Sequence, residues 1–200
     1  MPTIDFYFDF VSPYSYLANC RLPALAQERG CTIAYKPIDL KATKLAAGNT
    51  GPATAQMPLK LRYAVADLTR WAKRYGAPIA FSTAGVPDPT RPNKGTYYAI
   101  DRGQEAEYVR AMWHATFGTG GAMGSEDVLR QVATGMGWNA DDFIAFVDSE
   151  EAARRYEEGN LKAQERGVFG VPIMMVGDAM WWGNDRLDFL EEHLAAQAGG

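Results

Sequence analysis

Asp9-Phe10-Val11-Ser12-Pro13-Tyr14-Ser15-Tyr16 decides how the rest of the chain is read. Upstream of it, Ile4, Phe6, Phe8 and Phe10 alternate with Asp5, Tyr7 and Asp9. Period-two alternation of aromatic and β-branched residues is that of a strand, here Thr3–Phe10. Ser12-Pro13 then signals a helix start. A serine hydroxyl accepts from an orphan first-turn amide, and proline suits the first helical position because its missing N–H would have had no partner. Ser12 therefore stands where a strand ends and a helix begins, beside free amides and the positive end of a helix dipole. Such a place stabilises anions. A plain helix cap is the other reading of the same serine.

Working outward, the helix after Ser12 carries Leu17, Cys20 and Ala24 on one stripe. Pro23 is expected to kink or interrupt it, and Gly30 to end it. A strand over Thr32–Leu40 follows, so strand, helix and strand predict a right-handed βαβ unit with a parallel pair. Beyond the loop Gly48–Pro52, Leu61, Val65, Leu68 and Trp71 give helical periodicity over Met57–Tyr75. Phe81–Asn93, with Pro87, Pro89 and Pro92, reads as an irregular loop, long enough to suspect function. Helices are expected at Lys94–Arg102, Gln104–Phe117, Ser125–Met136, Ala140–Asp148 and Ser149–Arg166, with Gly118–Gly124 as a flexible link. Strand character returns in Pro172–Val176 and Ala179–Trp182 around the turn Gly177-Asp178, and a last helix runs Asp185–Ala196. This order is α/β and thioredoxin-like, βαβ then ββα, interrupted by a large all-helical insertion. Residues 1–44 and 154–200 form the thioredoxin-like part, and 45–153 the inserted helical domain.

The chain has 200 residues, 47% hydrophobic and 22% charged, enough for a full core. A formal net charge of −4 and no basic stretch argue against a nucleic-acid partner. No basic-then-apolar leader is visible and no apolar run reaches the ~18 residues of a membrane span, so a cytoplasmic protein is expected. Cys20 and Cys31 lack CxxC spacing, and His114 and His193 lack any metal-ligand pattern. Core packing is expected for the thiols, a structural or surface place for the imidazoles, and no metal site.

Phe8-Asp9-Phe10-Val11-Ser12-Pro13-Tyr14-Ser15-Tyr16-Leu17 resembles the N-terminal signature of the 2-hydroxychromene-2-carboxylate isomerases, relatives of kappa-class glutathione transferases and of DsbA-like thioredoxin-fold proteins. The resemblance continues through Gly48–Pro52, Asp67-Leu68-Thr69-Arg70-Trp71, Val168-Phe169-Gly170-Val171-Pro172 and Trp182-Gly183-Asn184-Asp185-Arg186, covering essentially the whole chain. Redox members of this fold carry Cys-x-x-Cys where this chain reads Ser12-Pro13-Tyr14-Ser15. Without thiols, dithiol–disulfide exchange is closed to this site.

The resemblance implies glutathione as cofactor, with Ser12 stabilising its thiolate as the catalytic residue. There is no GxSxG elbow and no evident His–Asp arrangement to make Ser12 a hydrolase nucleophile. Val171-Pro172 resembles the cis-proline element of the fold, whose exposed backbone pairs with the cysteinyl part of glutathione. Trp182, Gly183, Asn184 and Asp185 match the segment that holds the γ-glutamyl end, and Lys60 matches a lysine that reaches a glutathione carboxylate; a helix cap and a solvated lysine are the plainer alternatives. For the acceptor's carboxylate, Lys44, Asn49, Arg91 and Asn93 are candidates, while Tyr97, Tyr98, Trp113 and the Trp181–Trp182 pair are candidates for an aromatic wall. The implied reaction interconverts 2-hydroxychromene-2-carboxylate and trans-o-hydroxybenzylidenepyruvate, an aromatic 2-oxo acid, and the implied assembly is a homodimer. After Pro52, Ala53-Thr54-Ala55-Gln56 departs from the family's polar Asn-Arg pair. A kappa-like transferase and a non-catalytic glutathione-binding module are the rival readings.

Overall fold

The computed structural model describes residues 1–198. Its sheet is built around β1 (Thr3–Phe8), whose Ile4, Phe6 and Phe8 are fully buried on one face while Tyr7 packs on the other. β2 (Thr32–Pro37) pairs with β1 in parallel, and β3 (Ile173–Val176) pairs antiparallel on the other side. β4 (Ala179–Trp182) completes the order β2-β1-β3-β4. Phe6 lies opposite Tyr35 on one side and Met174 on the other. A one-residue slip would turn all these rings toward the wrong face, so the pattern pins the register.

β1 ends at Phe8, two residues short of the expected end. The Asp9 carboxylate folds back onto the Val11 amide at 3.1 Å, which takes the chain out of the ladder and into the turn. The crossover is α1 (Pro13–Glu28), capped by Ser12. It runs through Pro23, where an interruption was expected, because Leu22 on one side and Leu25 and Ala26 on the other are buried in the core. Cys20 lies exposed on this helix rather than packed, whereas Cys31 is buried. β2 likewise ends early, and a helix absent from the sequence reading follows: α2 (Leu40–Ala46), capped by Asp39, which accepts from the Ala42 amide at 2.9 Å.

The inserted helices are α3 (Pro58–Tyr75), α4 (Thr90–Ile100), α5 (Glu105–Trp113), α6 (Glu126–Gly135) and α7 (Ala140–Val147). α8 (Glu150–Glu165) leads back to the sheet. Ser125, Asn139 and Ser149 cap α6, α7 and α8 through their side chains. The single helix expected over Gln104–Phe117 is α5 followed by a π turn, His114–Gly118. The boundary expected between residues 153 and 154 falls inside α8, one unbroken helix. Nor does the insertion keep a core of its own. Trp113, at the end of α5, is fully buried with ring centroids 5.0 Å from Phe10 and 5.2 Å from Phe8, so one core runs from the sheet into the helices. On the other face Ala163 and Val168 cover Tyr7, Ile173 and Met175. A short 3-10 turn, Asn184–Arg186, opens α9 (Leu187–Ala198).

Candidate active site

The turn between β1 and α1 presents Ser12, 6% exposed. Its Oγ accepts from the Ser15 amide at 3.2 Å, and its carbonyl accepts from the Tyr16 amide at 3.1 Å. Because the oxygen is already an acceptor, the hydroxyl proton is left to point elsewhere. The Tyr14 amide, with no backbone partner among the described residues, adds a second donor at the positive helix end. Capping and anion stabilisation are therefore compatible in one side chain.

Two hollows flank this turn. On one side is a polar cleft of about 310 Å³ lined by Tyr14, Asp67, Trp71, Val171, Pro172 and Trp182–Arg186. On the other is an apolar cavity of about 300 Å³, with Val11, Pro13, Phe81, Phe117 and Met123 in its wall. Ser12 stands in sequence between Val11 and Pro13, which face the cavity, and Tyr14, which faces the cleft.

In the cleft, Val171–Pro172 is cis, as its motif implied. Asn184 is 3% exposed, and its Nδ2 has no hydrogen-bond partner among the described residues. A buried donor left unpaired is costly, so a ligand acceptor is its natural complement. Gly183 takes φ 111°, and a side chain there would collide with the Asp185 carboxylate. The Tyr75 hydroxyl donates to the Asn184 carbonyl at 3.2 Å and fixes this corner. Tyr14 donates to Asp67 at 3.4 Å. Burial, with Asp67 beside it, pushes the Tyr14 hydroxyl up to about 12, so it stays a neutral donor. Asp67 and Asp185 give the cleft an acidic lip suited to an ammonium, and Arg186, 3.2 Å from Asp185, gives it a cation.

The structure thus gathers Val171, Pro172, Trp182, Gly183, Asn184 and Asp185 in one cleft with Tyr14, while Ser12 itself is in the lining of neither hollow. It adds Tyr14, Asp67, Trp71 and Arg186, which the sequence reading quoted in motifs without assigning a role. Asp67 and Trp71 are four apart on α3 and so share a face, a signal that was available. Lys60 is exposed on α3 and lies outside the cleft lining.

The acceptor-side expectations fare differently. Asn93 is not in a loop and cannot meet a substrate. It is fully buried in α4, where its amide donates to Asp9, to the Ile38 carbonyl and to the Tyr156 hydroxyl, and its Oδ1 accepts from the Phe10 amide. Arg91, also in α4, spends its fork on Asp148, with Nε 2.7 Å from Oδ1. Arg91→Ala is expected to leave turnover unchanged and to cost less than about 1 kcal/mol in a denaturant titration, the scale of an exposed pair. Lys44 and Asn49 sit in the last turn of α2 and the loop after it, outside both linings. Tyr98 and Trp113 are core, and Tyr97 lies half-buried beside Arg155. The sequence reading suspected a function for the loop at 81–93 but assigned no role to the residues of the apolar cavity, which come from the Ser12 turn, Ala55, that loop, the π turn and the link after it.

Known proteins share this fold. A family model described as a DSBA-like thioredoxin domain matches residues 3–195. A 2-hydroxychromene-2-carboxylate isomerase of Pseudomonas putida is 47% identical over 188 residues, covering 94% of this chain and 92% of that one. The solved structure of a 2-hydroxychromene-2-carboxylate isomerase superposes with a TM-score of 0.93 at 45% identity, covering 98% of this chain and 96% of the other. A shorter stretch of 80 residues is 41% identical to glutathione S-transferase kappa 1 of Caenorhabditis elegans, 40% of this chain and 34% of that protein. By the family model, the identity to its relatives and the superposition, the chain belongs to the 2-hydroxychromene-2-carboxylate isomerase family of DSBA-like thioredoxin-fold proteins.

Proposed function

We propose that this protein is a glutathione-dependent isomerase interconverting 2-hydroxychromene-2-carboxylate and trans-o-hydroxybenzylidenepyruvate. The observation that supports the reading is the pair of hollows bordered by Ser12's sequence neighbours, one polar with an Asn184 amide unpaired among the described residues and one apolar. The cleft's chemistry fits glutathione. Asp67 and Asp185 match the γ-glutamyl ammonium, Asn184 Nδ2 and Arg186 match its carboxylate or carbonyl oxygens, and the Val171 backbone borders the peptide. Bound there, glutathione would supply a thiolate for reversible conjugate addition to the alkene, released again when elimination restores the double bond.

Everything else is the chain's work. The Ser12 hydroxyl and Tyr14 amide donate to a sulfur anion and so favour thiolate over thiol. Val11, Phe117 and Met123 exclude water from an aromatic acceptor in the apolar cavity. Ser82 Oγ accepts from the Ala84 amide at 3.2 Å, which leaves its proton for an acceptor oxygen at the rim. Lys44, whose ammonium has no ion pair among the described residues, and Asn49 lead into the segment whose Ala55 reaches the cavity. They are the remaining partners for the acceptor's carboxylate, and Lys60 remains one for glutathione. A cytoplasmic location and a homodimer go with this reading; no described helix is long and apolar enough to cross a membrane.

Turnover of the chromene carboxylate with glutathione far below substrate tests the proposal. Many turnovers per glutathione are expected; one glutathione consumed per product would make the protein a transferase, and binding without turnover a module. Glutathione at about 100 times its dissociation constant should also stabilise the fold by roughly 2.7 kcal/mol. An unchanged melting temperature at millimolar glutathione would remove the cleft assignment.

A further inference from the structure

Asp9 is a carboxylate 2% exposed, and no cation pairs with it among the described residues. Burying such a group is expensive unless hydrogen bonds compensate, and three do. Oδ1 accepts from the Val11 amide and from Asn93 Nδ2, both at 3.1 Å, and Oδ2 accepts from the Leu40 amide at 3.0 Å. The Asp9 carbonyl also accepts from the Ser12 amide at 2.9 Å. Asn93 binds the same turn a second time through the Phe10 amide, at 3.2 Å, and reaches α8 through Tyr156, at 2.9 Å. One buried carboxylate thus joins the Ser12 turn to α2, α4 and α8.

We propose that Asp9 is a positioning residue of the site: bonded to the Val11 and Leu40 amides and to Asn93, its carboxylate sets where the Ser12 hydroxyl and the Val11 wall of the apolar cavity stand. The inference rests on the reading of Ser12 as the thiolate's donor. Geometry makes the carboxylate hard to replace. Donors approach both oxygens, so an isosteric amide would set an NH2 group against one of them. Protonation does the same with one O–H.

Burial raises the Asp9 carboxyl to about 6, against the hydrogen bonds from Leu40, Val11 and Asn93 that lower it. The other titratable groups facing it are Asp39 at the head of α2 and the Tyr156 phenol on α8; α4 contributes neutral Asn93. The sign of linkage is distinctive. The folded carboxyl holds its proton more tightly than the ordinary value of 3.8, so its contribution to stability is fully present below about 3.8 and is lost as pH rises through about 6. Acidification through 6 therefore favours the fold at this residue while loosening the turn. A merely structural carboxylate would not set stability and turnover in opposite directions.

The test follows backbone amides of the full chain by 15N NMR from pH 8 to 5, without glutathione, alongside kcat and KM over the same range. Val11, Ser12 and Leu40 amides are expected to share one midpoint near 6 in the native protein and to be flat there in Asp9→Asn. The acid limb of kcat should carry that midpoint, with KM for glutathione changing less. In Asp9→Asn this limb should vanish and kcat should fall between about ten- and a hundredfold, the scale of a displaced catalytic group. If the native Val11, Ser12 and Leu40 amides share no midpoint anywhere in that range, or if Asp9→Asn keeps both full kcat and the same acid limb, the inference is overturned. If the amides titrate together but the native protein neither binds glutathione nor turns over, the turn's dependence on Asp9 stands and the glutathione reading falls. The native titration needs no variant, so a misfolded Asp9→Asn leaves the question decidable.

Discussion

Ser12→Ala is expected to lower kcat by about 2–4 kcal/mol in activation free energy, roughly 30- to 1000-fold, with a smaller change in glutathione affinity. The split follows from the proposed assignment, in which the hydroxyl would serve the sulfur while Val171, Asn184 and Asp185, which line the cleft, would hold the rest of the molecule. The Tyr14 amide and the helix dipole remain, so residual activity should persist. The thiol of bound glutathione, followed by its thiolate absorbance, should titrate at higher pH in the variant. Ser15→Ala is the matched control. Ser15 is fully buried and its Oγ has no partner among the described residues, so deleting that hydroxyl should leave turnover unchanged and stability equal or higher, by up to about 1 kcal/mol. If Ser12→Ala leaves both kcat and the thiol pKa as they were, Ser12 is a cap and nothing more.

Trp113→Ala should be the most damaging truncation for the fold, costing about 3–5 kcal/mol and lowering the melting temperature by roughly 6–20 °C. The indole packs against Phe6, Phe8, Phe10 and Tyr16, and its Nε1 donates to the Phe10 carbonyl at 3.3 Å. Losing it opens a cavity where sheet and insertion share their core, and it orphans a carbonyl two residues before Ser12. Trp113→Phe keeps a ring and loses the donor, so an intermediate cost of about 1–3 kcal/mol is expected, with a drop in kcat that stability alone would not produce. Melting curves and kcat on the three proteins check both effects. An alanine variant as stable as the native protein would show that the insertion holds itself up without this contact.

Much of this was legible in the sequence because it is local. Alternation wrote β1, Ser12-Pro13 wrote the head of α1, and Gly183-Asn184-Asp185 lies next to the turn it forms. The failures have physical causes. Pro87, Pro89 and Pro92 read as breakers, yet Pro92 sits in the first turn of α4, where a missing N–H is no loss. That concealed a helix and made Arg91 and Asn93 look like loop residues. Asn93 finds Asp9 across 84 positions of sequence, and no spacing rule reaches so far. The apolar cavity is assembled from separated segments, one of them a π turn, so no periodicity announces it. α2 was missed because its cue is a single aspartate, Asp39, with no apolar stripe behind it.

The two walls of that cavity differ in how often they come apart. Val11 and Pro13 hang from β1, which is bonded to a strand on each side and belongs with the slowest amides to exchange with solvent. Phe81, Ser82 and Gly85 stand opposite on an exposed connection whose backbone has few internal bonds, the Ala80 amide to the Phe117 carbonyl among them. Local opening there has a low free energy and leaves the central strand closed. On the proposed reading, a bulky aromatic acid would enter and leave by excursions of the outer wall alone, with the Ser12 turn at rest.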